Sequence, residues 1–438
     1  MKQMILKKNQ DGGLKSLFIL LLLLFFISSS QKVFASQILD FEAEEFISKI
    51  ISDIASVNEI NKEIKFKINN SNEINAFVDI HNTIHINSGL IQYCEDYIAL
   101  LSVLAHEIGH INLNHVSLRK KNIQKANKFN NLSMLSVLAG SAITQNPELL
   151  QSTLITNAAL SNQYINFSKE QEIEADLYSL KTLKLLNVNS DSIVNLLITI
   201  EKKLLAKGFK KESQRISTHP NFEDRISLIN SYQNKRENNF NTIYNEKFNF
   251  IKAKFIGYSD NNDIINKLNE PYKSYAESIK KARDGKLKMS LQTLNKIIKH
   301  YKNSFLIETK AEILFSYGYT NEALKFYKKN LEQYPLNSYA QIRIFENTDI
   351  KNLQSDELNH IFNINKKLLF KYYNNKNILI KYLKIAEKLK RKEWVNFFKF
   401  YLLFNFKNYN DFKKKLILFK KTNDQDLLKL INKIEKAN

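Results

Sequence analysis

The chain has 438 residues, a formal charge of +21 and a single cysteine, Cys94. This length is sufficient for two or more domains, each with its own hydrophobic core. One cysteine cannot form an intrachain disulfide, which excludes a disulfide-stapled scaffold. The positive charge is spread along a Lys- and Asn-rich sequence without a zinc-finger, homeodomain or RNA-binding motif, so we predict no nucleic-acid partner. A peripheral contact with an anionic membrane surface stays open as an alternative use of this charge.

The N-terminal residues have the pattern of a secretory signal peptide. Four Lys lie within the first 15 residues, a charge-free apolar run extends from Leu17 to Ile27, and Val33-Phe34-Ala35 offers modest or small residues to a signal peptidase. The apolar run of 11 residues is short for a membrane span. We predict a signal peptide over residues 1–35, cleaved after Ala35, with an uncleaved membrane anchor as the alternative.

Residues 36–240 are predicted to form one domain with several helices and a small sheet. Apolar residues recur at helical spacing over 39–57, and short alternating runs that are typical of strands follow. A helix that begins near Ser88 is predicted to continue through the apolar stretch that ends at Ile111. The predicted strands cover 64–68, 74–80 and 83–86, and two further long helices cover 168–186 and 192–207.

The second half of the chain, residues 241–438, has the marks of a helical repeat. A tetratricopeptide unit needs a small packing residue, a tight turn, a second small residue, an aromatic residue and a terminating proline. These positions are filled by Ala311, Gly318, Ala323, Tyr327 and Pro335, and the first three recur 33 residues earlier as Ser278, Gly285 and Ser290. We predict an α-helical tetratricopeptide solenoid, degenerate after residue 340, whose concave face can bind a partner.

The most informative motif is His106-Glu107-Ile108-Gly109-His110, an HExxH box within an apolar helical run. Side chains four residues apart share a helix face, so His106 and His110 can offer two imidazole nitrogens to one metal ion. Glu107 lies about 100° further round the helix, where its carboxylate can act on a water at the metal without being a ligand. An apolar helix would bury these polar groups at a cost unless they had partners, which favours a metal site.

A catalytic zinc site needs a third protein ligand. The third histidine of the metzincin pattern is absent, because Leu113 and Val116 stand where that pattern requires Gly and His. His115 is out of this register, and we interpret it as a helix-end residue or as an outer partner of the site.

A better third ligand comes from the segment Glu170-Gln171-Glu172-Ile173-Glu174-Ala175-Asp176. Glu172 and Asp176 are four residues apart on one helix face, and the small Ala175 beside them allows close helix packing. We predict that Glu172 completes the zinc site. Asp176 is predicted to accept the free ring N–H of His106 or His110 and thereby to fix its tautomer.

Together these motifs resemble a known protease family. The HEIGH and EIEAD segments, the Ile74-Asn75-Ala76-Phe77 strand, and the later Ser217-Thr218-His219-Pro220 motif with Arg225 are similar to the HtpX/BepA/Oma gluzincin peptidases, metallopeptidase family forty-eight. The predicted leader and helical repeats make the chain most similar to the BepA-like periplasmic members. The predicted fold class is therefore mainly α, with an α+β zinc metallopeptidase domain over 36–240 that contains a small sheet and the HExxH helices, and a C-terminal α-helical solenoid.

The resemblance implies a role for each motif. His219 is similar to a residue that gates the fourth metal position, and Arg225 to the basic residue that follows it. The strand Asn75, Ala76 and Phe77 would bind substrate along its edge. The zinc ligands for one Zn²⁺ per chain would be His106, His110 and Glu172, and the general base would be Glu107.

One departure from the family pattern is the absence of Gly after this strand, in residues 78–82.

The resemblance also implies a zinc-dependent endopeptidase of the periplasm. Its substrates would be misfolded or unassembled envelope proteins, and the repeats would contact these clients or the outer-membrane assembly machinery. Two alternatives remain open. One is a chaperone or scaffold whose zinc site is largely self-inhibited, and the other is a protein held at a membrane surface by its basic tail.

Overall fold

The computed structural model describes residues 37–121, 124, 167–206, 222–232, 239–301, 303–404 and 409–437. The predicted leader over residues 1–35 and the His219 motif lie outside these ranges. Within them the protein is mainly α-helical with one small mixed sheet, which confirms the mainly α, α+β fold class. No helix of this described part is both long enough and apolar enough to cross a bilayer.

The sheet has four strands, and the first helix of the described residues follows its first strand in sequence. Its spatial order is β1-β2-β4-β3, with β2 and β4 parallel and the two outer strands antiparallel to their neighbours. Strand β3, which contains Ala76, therefore lies at one edge. The elements are β1 (Gln37–Ile38), α1 (Phe41–Val57), β2 (Lys65–Asn69), β3 (Ala76–Val78) and β4 (Thr83–Asn87).

The helix predicted to begin near Ser88 is interrupted, which corrects the sequence prediction. It consists of α2 (Ser88–Tyr93) and α3 (Tyr97–Asn112). The carboxylate of Asp96 accepts a hydrogen bond of 3.0 Å from the backbone N–H of Ala99, so it caps a new helix at this point. Helix α3 is buried over most of its length and carries the HExxH box in its second half.

Later helices in this part of the protein include α4 (Lys169–Leu185), α5 (Asp191–Ala206) and α6 (Phe222–Ser231). Small residues let α4 approach α3 closely. A Cβ atom added to Gly109 would lie only 3.2 Å from the Cβ of Tyr178, and Ala175 is fully buried. The hydroxyl of Ser179 donates a hydrogen bond of 2.8 Å to the Ser102 carbonyl across the same contact.

The described residues from Thr242 onward are helical. The helices are α7 (Thr242–Tyr258), α8 (Asn262–Ile265), α9 (Tyr272–Arg283), α10 (Leu287–His300), α11 (Ser304–Ser316), α12 (Thr320–Gln333), α13 (Ser338–Asn347), α14 (Ser355–Ile364), α15 (Lys366–Lys371), α16 (Lys376–Lys388), α17 (Lys392–Phe404), α18 (Tyr409–Leu418) and α19 (Gln425–Ala437), with a 3₁₀ turn at Phe419–Lys421. The helices from α13 to α19 share an aromatic core that includes Phe362, Tyr382 and Trp394.

The residues that suggested a helical repeat lie at equivalent places in two helix pairs. Gly285 joins α9 to α10 and Gly318 joins α11 to α12, both with positive φ angles of 80° and 83° that glycine adopts without strain. The small residues of the pattern are buried between the paired helices. This geometry is that of helix–turn–helix units, and their assignment as tetratricopeptide repeats stays a prediction.

Helix α7 joins the two halves of the protein, because its opposite faces belong to different cores. Phe248 and Phe255 pack with the core formed by the sheet and the helices around α3. Phe250 and Ile256 pack with α9 and α10. The predicted boundary at residue 240 thus precedes a helix that is shared by both cores.

A cluster of charged residues is buried where α1, α7 and α11 meet. The ammonium group of Lys254 lies 2.8 Å from a carboxylate oxygen of Asp40 and 2.8 Å from one of Glu42. Glu308 of α11 is also buried here and accepts a hydrogen bond from Asn337. Burial raises the pKa of the Glu308 carboxyl to about 8, although the charge of Lys254 opposes this shift.

The Glu308→Gln variant is expected to change how stability depends on pH. Folded wild-type protein keeps the Glu308 proton up to a pKa of about 8, whereas the unfolded chain releases it near pH 4.5. Glu308 therefore makes unfolding more favourable as the pH rises through this window. The free energy of unfolding of the variant, measured relative to that of wild type, should therefore increase from pH 5 to pH 8.5, by an amount on the order of a few kcal/mol.

Urea unfolding followed by circular dichroism at these two pH values measures the effect. The exposed Glu322 of α12 provides the control variant Glu322→Gln. Parallel pH profiles for Glu308→Gln and wild type would contradict an elevated pKa at this carboxyl.

Candidate metal centre

Three buried side chains bring one ligand atom each to a common point between α3 and α4. His106 Nε2 lies 3.1 Å from His110 Nε2 and 3.4 Å from Glu172 Oε2, and His110 Nε2 lies 3.5 Å from Glu172 Oε1. The three residues are 4%, 0% and 1% exposed, respectively. They form the one group of His, Cys, Asp and Glu with metal-ligand spacing among the residues that the structure describes.

This arrangement fits a zinc ion. Ligand atoms at about 2.0–2.1 Å from a tetrahedral Zn²⁺ are about 3.3 Å apart, which agrees with the three distances between these donors. Two imidazoles and one carboxylate are also a donor set of catalytic zinc, and they leave a fourth position open. Three carboxylates, those of Glu107, Glu172 and Asp176, are buried here near two guanidinium groups, those of Arg225 and Arg119, so a cation would meet net negative charge.

Asp176 and Arg225 contact the ring nitrogen of His106 that faces away from the triangle formed by the three ligand atoms. Its Nδ1 lies 2.8 Å from Asp176 Oδ1, and Arg225 of α6 donates two hydrogen bonds of 2.8 Å to the same carboxylate. Burial alone would raise the pKa of Asp176, but the charge of Arg225 and the hydrogen bonds from His106 and Arg225 hold it well below its usual range. Because an ionised carboxylate accepts the Nδ1 proton, the Nε2 lone pair of His106 points towards the metal position.

His110 is held by His115, for which a role as an outer partner of the site was one of two predictions, and by two residues that were not predicted, Glu174 and Phe167. Its Nδ1 lies 3.0 Å from Nδ1 of His115, whose Nε2 lies 2.8 Å from an oxygen of Glu174. The ring of Phe167 stacks on the His110 ring with centroids 3.7 Å apart. Nothing in the sequence pointed to Glu174 or Phe167, since their contacts link α4 and the segment just before it to residues at and after the end of α3.

Glu107 follows His106 on α3 and lines a small cavity beside the triangle. The cavity has a volume of about 60 Å³ and is bounded by Asn75 and Ala76 on one side. Most of the remaining lining residues are apolar and lie on α3, α4, α5 and α6, among them Val103 and Leu197, but Asp176 and Arg225 also line the cavity. The proposed general base therefore lies between the metal position, the edge strand and an apolar pocket.

The edge strand β3 presents part of its backbone on the open side of the sheet. Hydrogen bonds from Asn87 N–H to the Asn75 carbonyl and from Asp79 N–H to the Thr83 carbonyl fix the pairing with β4. In an antiparallel pair, alternate residues bond to the partner strand, so the N–H and C=O groups of Ala76 and Val78 point away from β4.

Arg119 lies at the far end of this edge. Its guanidinium donates a hydrogen bond to the Val78 carbonyl and stacks over the Phe167 ring at 4.4 Å. Burial lowers the pKa of Arg119, while the nearby carboxylates of Glu107 and Asp79 raise it. Sequence reasoning did not find this residue, because nothing in its local pattern distinguishes it from a solvated arginine.

The turn after β3 accounts for the missing glycine. Asn82 has a φ angle of 59°, a left-handed conformation that Asn tolerates better than most residues. The Asp79 carboxylate accepts hydrogen bonds of 2.8 Å and 2.9 Å from the backbone N–H groups of His81 and Thr83. The turn is thus closed by Asp79 and Asn82 instead of by a glycine.

The part of the chain that holds these residues matches the model of peptidase family M48 over residues 42–233. These residues are therefore similar to an M48 peptidase domain. The resemblance to BepA-like members of the family, drawn from the sequence motifs, is confirmed. The helical repeats stay a prediction.

Two curated proteins to which this chain is similar are named beta-barrel assembly-enhancing protease. The protein from Yersinia pestis is 24% identical over 219 residues, which are 49% of this chain and 44% of the relative. The protein from Escherichia coli strain K12 is 26% identical over 178 residues, which are 40% of this chain and 35% of the relative. The matched segment is therefore less than half the length of each relative.

The structure brings together most of the site residues that were predicted from the M48 motifs. The three proposed ligands meet at one point, Glu107 lines the cavity beside His106, Asp176 and Arg225 contact His106, and Ala76 of β3 borders the cavity. The sequence left open which histidine Asp176 would contact, and the geometry gives His106. His219 lies outside the described residues, so its place near the metal stays a prediction.

The Glu172→Ala variant is expected to lose zinc. Removing the carboxylate leaves two imidazoles, which is one ligand fewer than a catalytic zinc site needs. Wild-type protein should carry about one zinc per chain and the variant clearly less, as measured by atomic emission after gel filtration. The exposed Glu170 of the same helix supplies the control Glu170→Ala. Equal zinc in wild type and Glu172→Ala would remove Glu172 from the site.

Proposed function

We propose that the chain is a zinc-dependent endopeptidase that acts in quality control of envelope proteins. The observation that supports this most strongly is the buried triangle of His106, His110 and Glu172, whose donor atoms are 3.1–3.5 Å apart, with Glu107 beside it. The M48 match over the same residues supports the same chemistry.

The residues of the site would divide the reaction between them. Zinc, when bound, would polarise the scissile carbonyl and make a water in the site more acidic. Glu107 would take the proton from that water as the peptide bond is attacked, and would deliver it to the leaving amine. Glu107 is 1% exposed, so little bulk water can take up the proton that Glu107 removes before this proton reaches the leaving amine. Asp176 would keep His106 in the tautomer that binds metal.

We propose that substrate binds as an extended strand along β3. The N–H and C=O groups of Ala76 would pair with the substrate backbone, while the Val78 carbonyl is engaged by Arg119. Backbone pairing gives affinity with little sequence selectivity, which suits a protease that degrades misfolded chains. The apolar cavity beside Glu107 would accept one apolar substrate side chain.

The proposed clients and location follow from the relatives' names and from the leader. Proteins named beta-barrel assembly-enhancing protease suggest clients among unassembled outer-membrane proteins, and the predicted signal peptide over residues 1–35 suggests the periplasm. The helical half of the chain would bind clients or the assembly machinery. A chaperone or scaffold with a self-inhibited zinc site is the competing function.

The Glu107→Gln variant separates protease from scaffold. Gln has nearly the same shape but cannot take a proton, so cleavage of an unfolded fluorogenic polypeptide should fall by about 10²- to 10⁴-fold. Zinc content should stay at the wild-type level, because Glu107 is not a ligand. The exposed Glu73 supplies the control Glu73→Gln.

Two results would contradict the protease assignment. One is undiminished cleavage by Glu107→Gln in the purified protein. The other is full restoration by Glu107→Gln of the outer-membrane phenotype in cells that lack the protein, which would favour the scaffold function.

A further inference from the structure

His110 has an outer partner on the side of its ring that faces away from the metal position. Its Nδ1 is 3.0 Å from Nδ1 of His115, and Nε2 of His115 is 2.8 Å from an oxygen of Glu174. His115 is 2% exposed, whereas the side chain of Glu174 is 58% exposed. The three groups thus form a chain of hydrogen bonds from the buried triangle to the surface of α4.

The direction of this chain is set at its outer end. The ionised carboxylate of Glu174 can only accept a hydrogen bond, so Nε2 of His115 must carry the proton. In a neutral imidazole the other nitrogen then has the lone pair, and Nδ1 of His115 accepts the hydrogen bond from His110. His110 accordingly carries its proton on Nδ1 and has a lone pair on Nε2.

We infer that His115 and Glu174 are positioning residues that fix His110 in the tautomer able to bind metal through Nε2. The inference rests on the zinc site proposed above. The reverse direction would put a proton on His110 Nε2, which is 3.1 Å from His106 Nε2, and that proton would occupy the metal position.

The two proposed histidine ligands are therefore oriented in different ways. His106 meets the carboxylate of Asp176 directly, and that carboxylate is buried and paired with Arg225. His110 reaches a carboxylate only through the ring of His115, and this carboxylate is largely in solvent. The direction of the hydrogen bonds from His110 through His115 depends on whether residue 174 donates or accepts. A substitution at this surface position can therefore reverse that direction.

Glu174→Lys is the first test, because lysine offers only donors where the relay needs an acceptor. We expect zinc affinity, measured by competition with a chromophoric chelator, to fall about 10- to 100-fold. Glu170→Lys makes the same change of charge at an exposed position of the same helix without contacting His115, and it should bind zinc nearly as wild type does.

His115 is the second test, through a conservative and a disruptive variant. His115→Asn places an acceptor oxygen near the position of Nδ1, and it should keep zinc affinity close to wild type. His115→Leu removes the acceptor and should weaken zinc binding about 10- to 100-fold. Visible absorption of the Co²⁺-loaded proteins should show a tetrahedral site in wild type and His115→Asn, and a changed spectrum in His115→Leu.

Equal zinc affinities for Glu174→Lys and Glu170→Lys, or for His115→Asn and His115→Leu, would overturn the inference. Ring ¹⁵N shifts of the metal-free protein give a readout that does not depend on zinc. They should show His110 protonated on Nδ1 in wild type and on Nε2 in Glu174→Lys. A wild-type chain with this tautomer but no zinc affinity would contradict the proposed function alone.

Discussion

Helices α3 and α4 approach each other closely because small residues lie at their contact, and this approach makes a site from polar side chains that neither helix could bury alone. Gly109 leaves room for Tyr178, and Ala175 is fully enclosed. Burying one imidazole or carboxylate without a partner costs several kcal/mol. A few such groups would together cost about as much as the net stability of a whole protein. The helix contact lowers this cost by pairing His106 with Asp176 and by placing Glu172 beside both histidines, while His115 and Arg225 supply the remaining partners.

The partners of the two histidines then decide what the site can bind. An acceptor on each Nδ1 directs both Nε2 lone pairs into the same small space, where they would repel each other without a cation. Glu172 adds a negative oxygen to that space. This arrangement of the three side chains is therefore less stable without a metal than with one. The site thus agrees with a role in metal binding and not with a role in stabilising the fold.

The elements of the site that follow from helical periodicity could be predicted from the sequence. His106 and His110 share a face because they are four residues apart, and the same spacing relates Glu172 to Asp176. The interruption before α3 was missed, although Asp96 carried the helix-capping signal that could have located it. The order of the strands in the sheet and their short lengths could not be predicted from the alternation of apolar and polar residues alone.

Contacts that depend on how distant elements pack could not be predicted. His115 and Glu174 are 59 residues apart in sequence, and Arg119 and the Val78 carbonyl are 41 apart. Their meeting is set by the crossing of α3 and α4 and by the position of β3, which no local pattern records. The turn after β3 was in doubt for a related reason, because a left-handed Asn can replace the expected Gly.

The attachment of the helical half to the part of the chain that matches the M48 family limits how the two halves can move. Lys254 of α7 pairs with Asp40 and Glu42 at the start of α1, and it is 3% exposed. Separating these groups would leave buried charges unpaired, at a cost of about 3–5 kcal/mol. The faces of α7 also belong to two different cores, so no hinge can open along this helix without exposing apolar surface. A partner that bound to the helices next to α7 would therefore be held in a fixed orientation relative to the candidate metal centre.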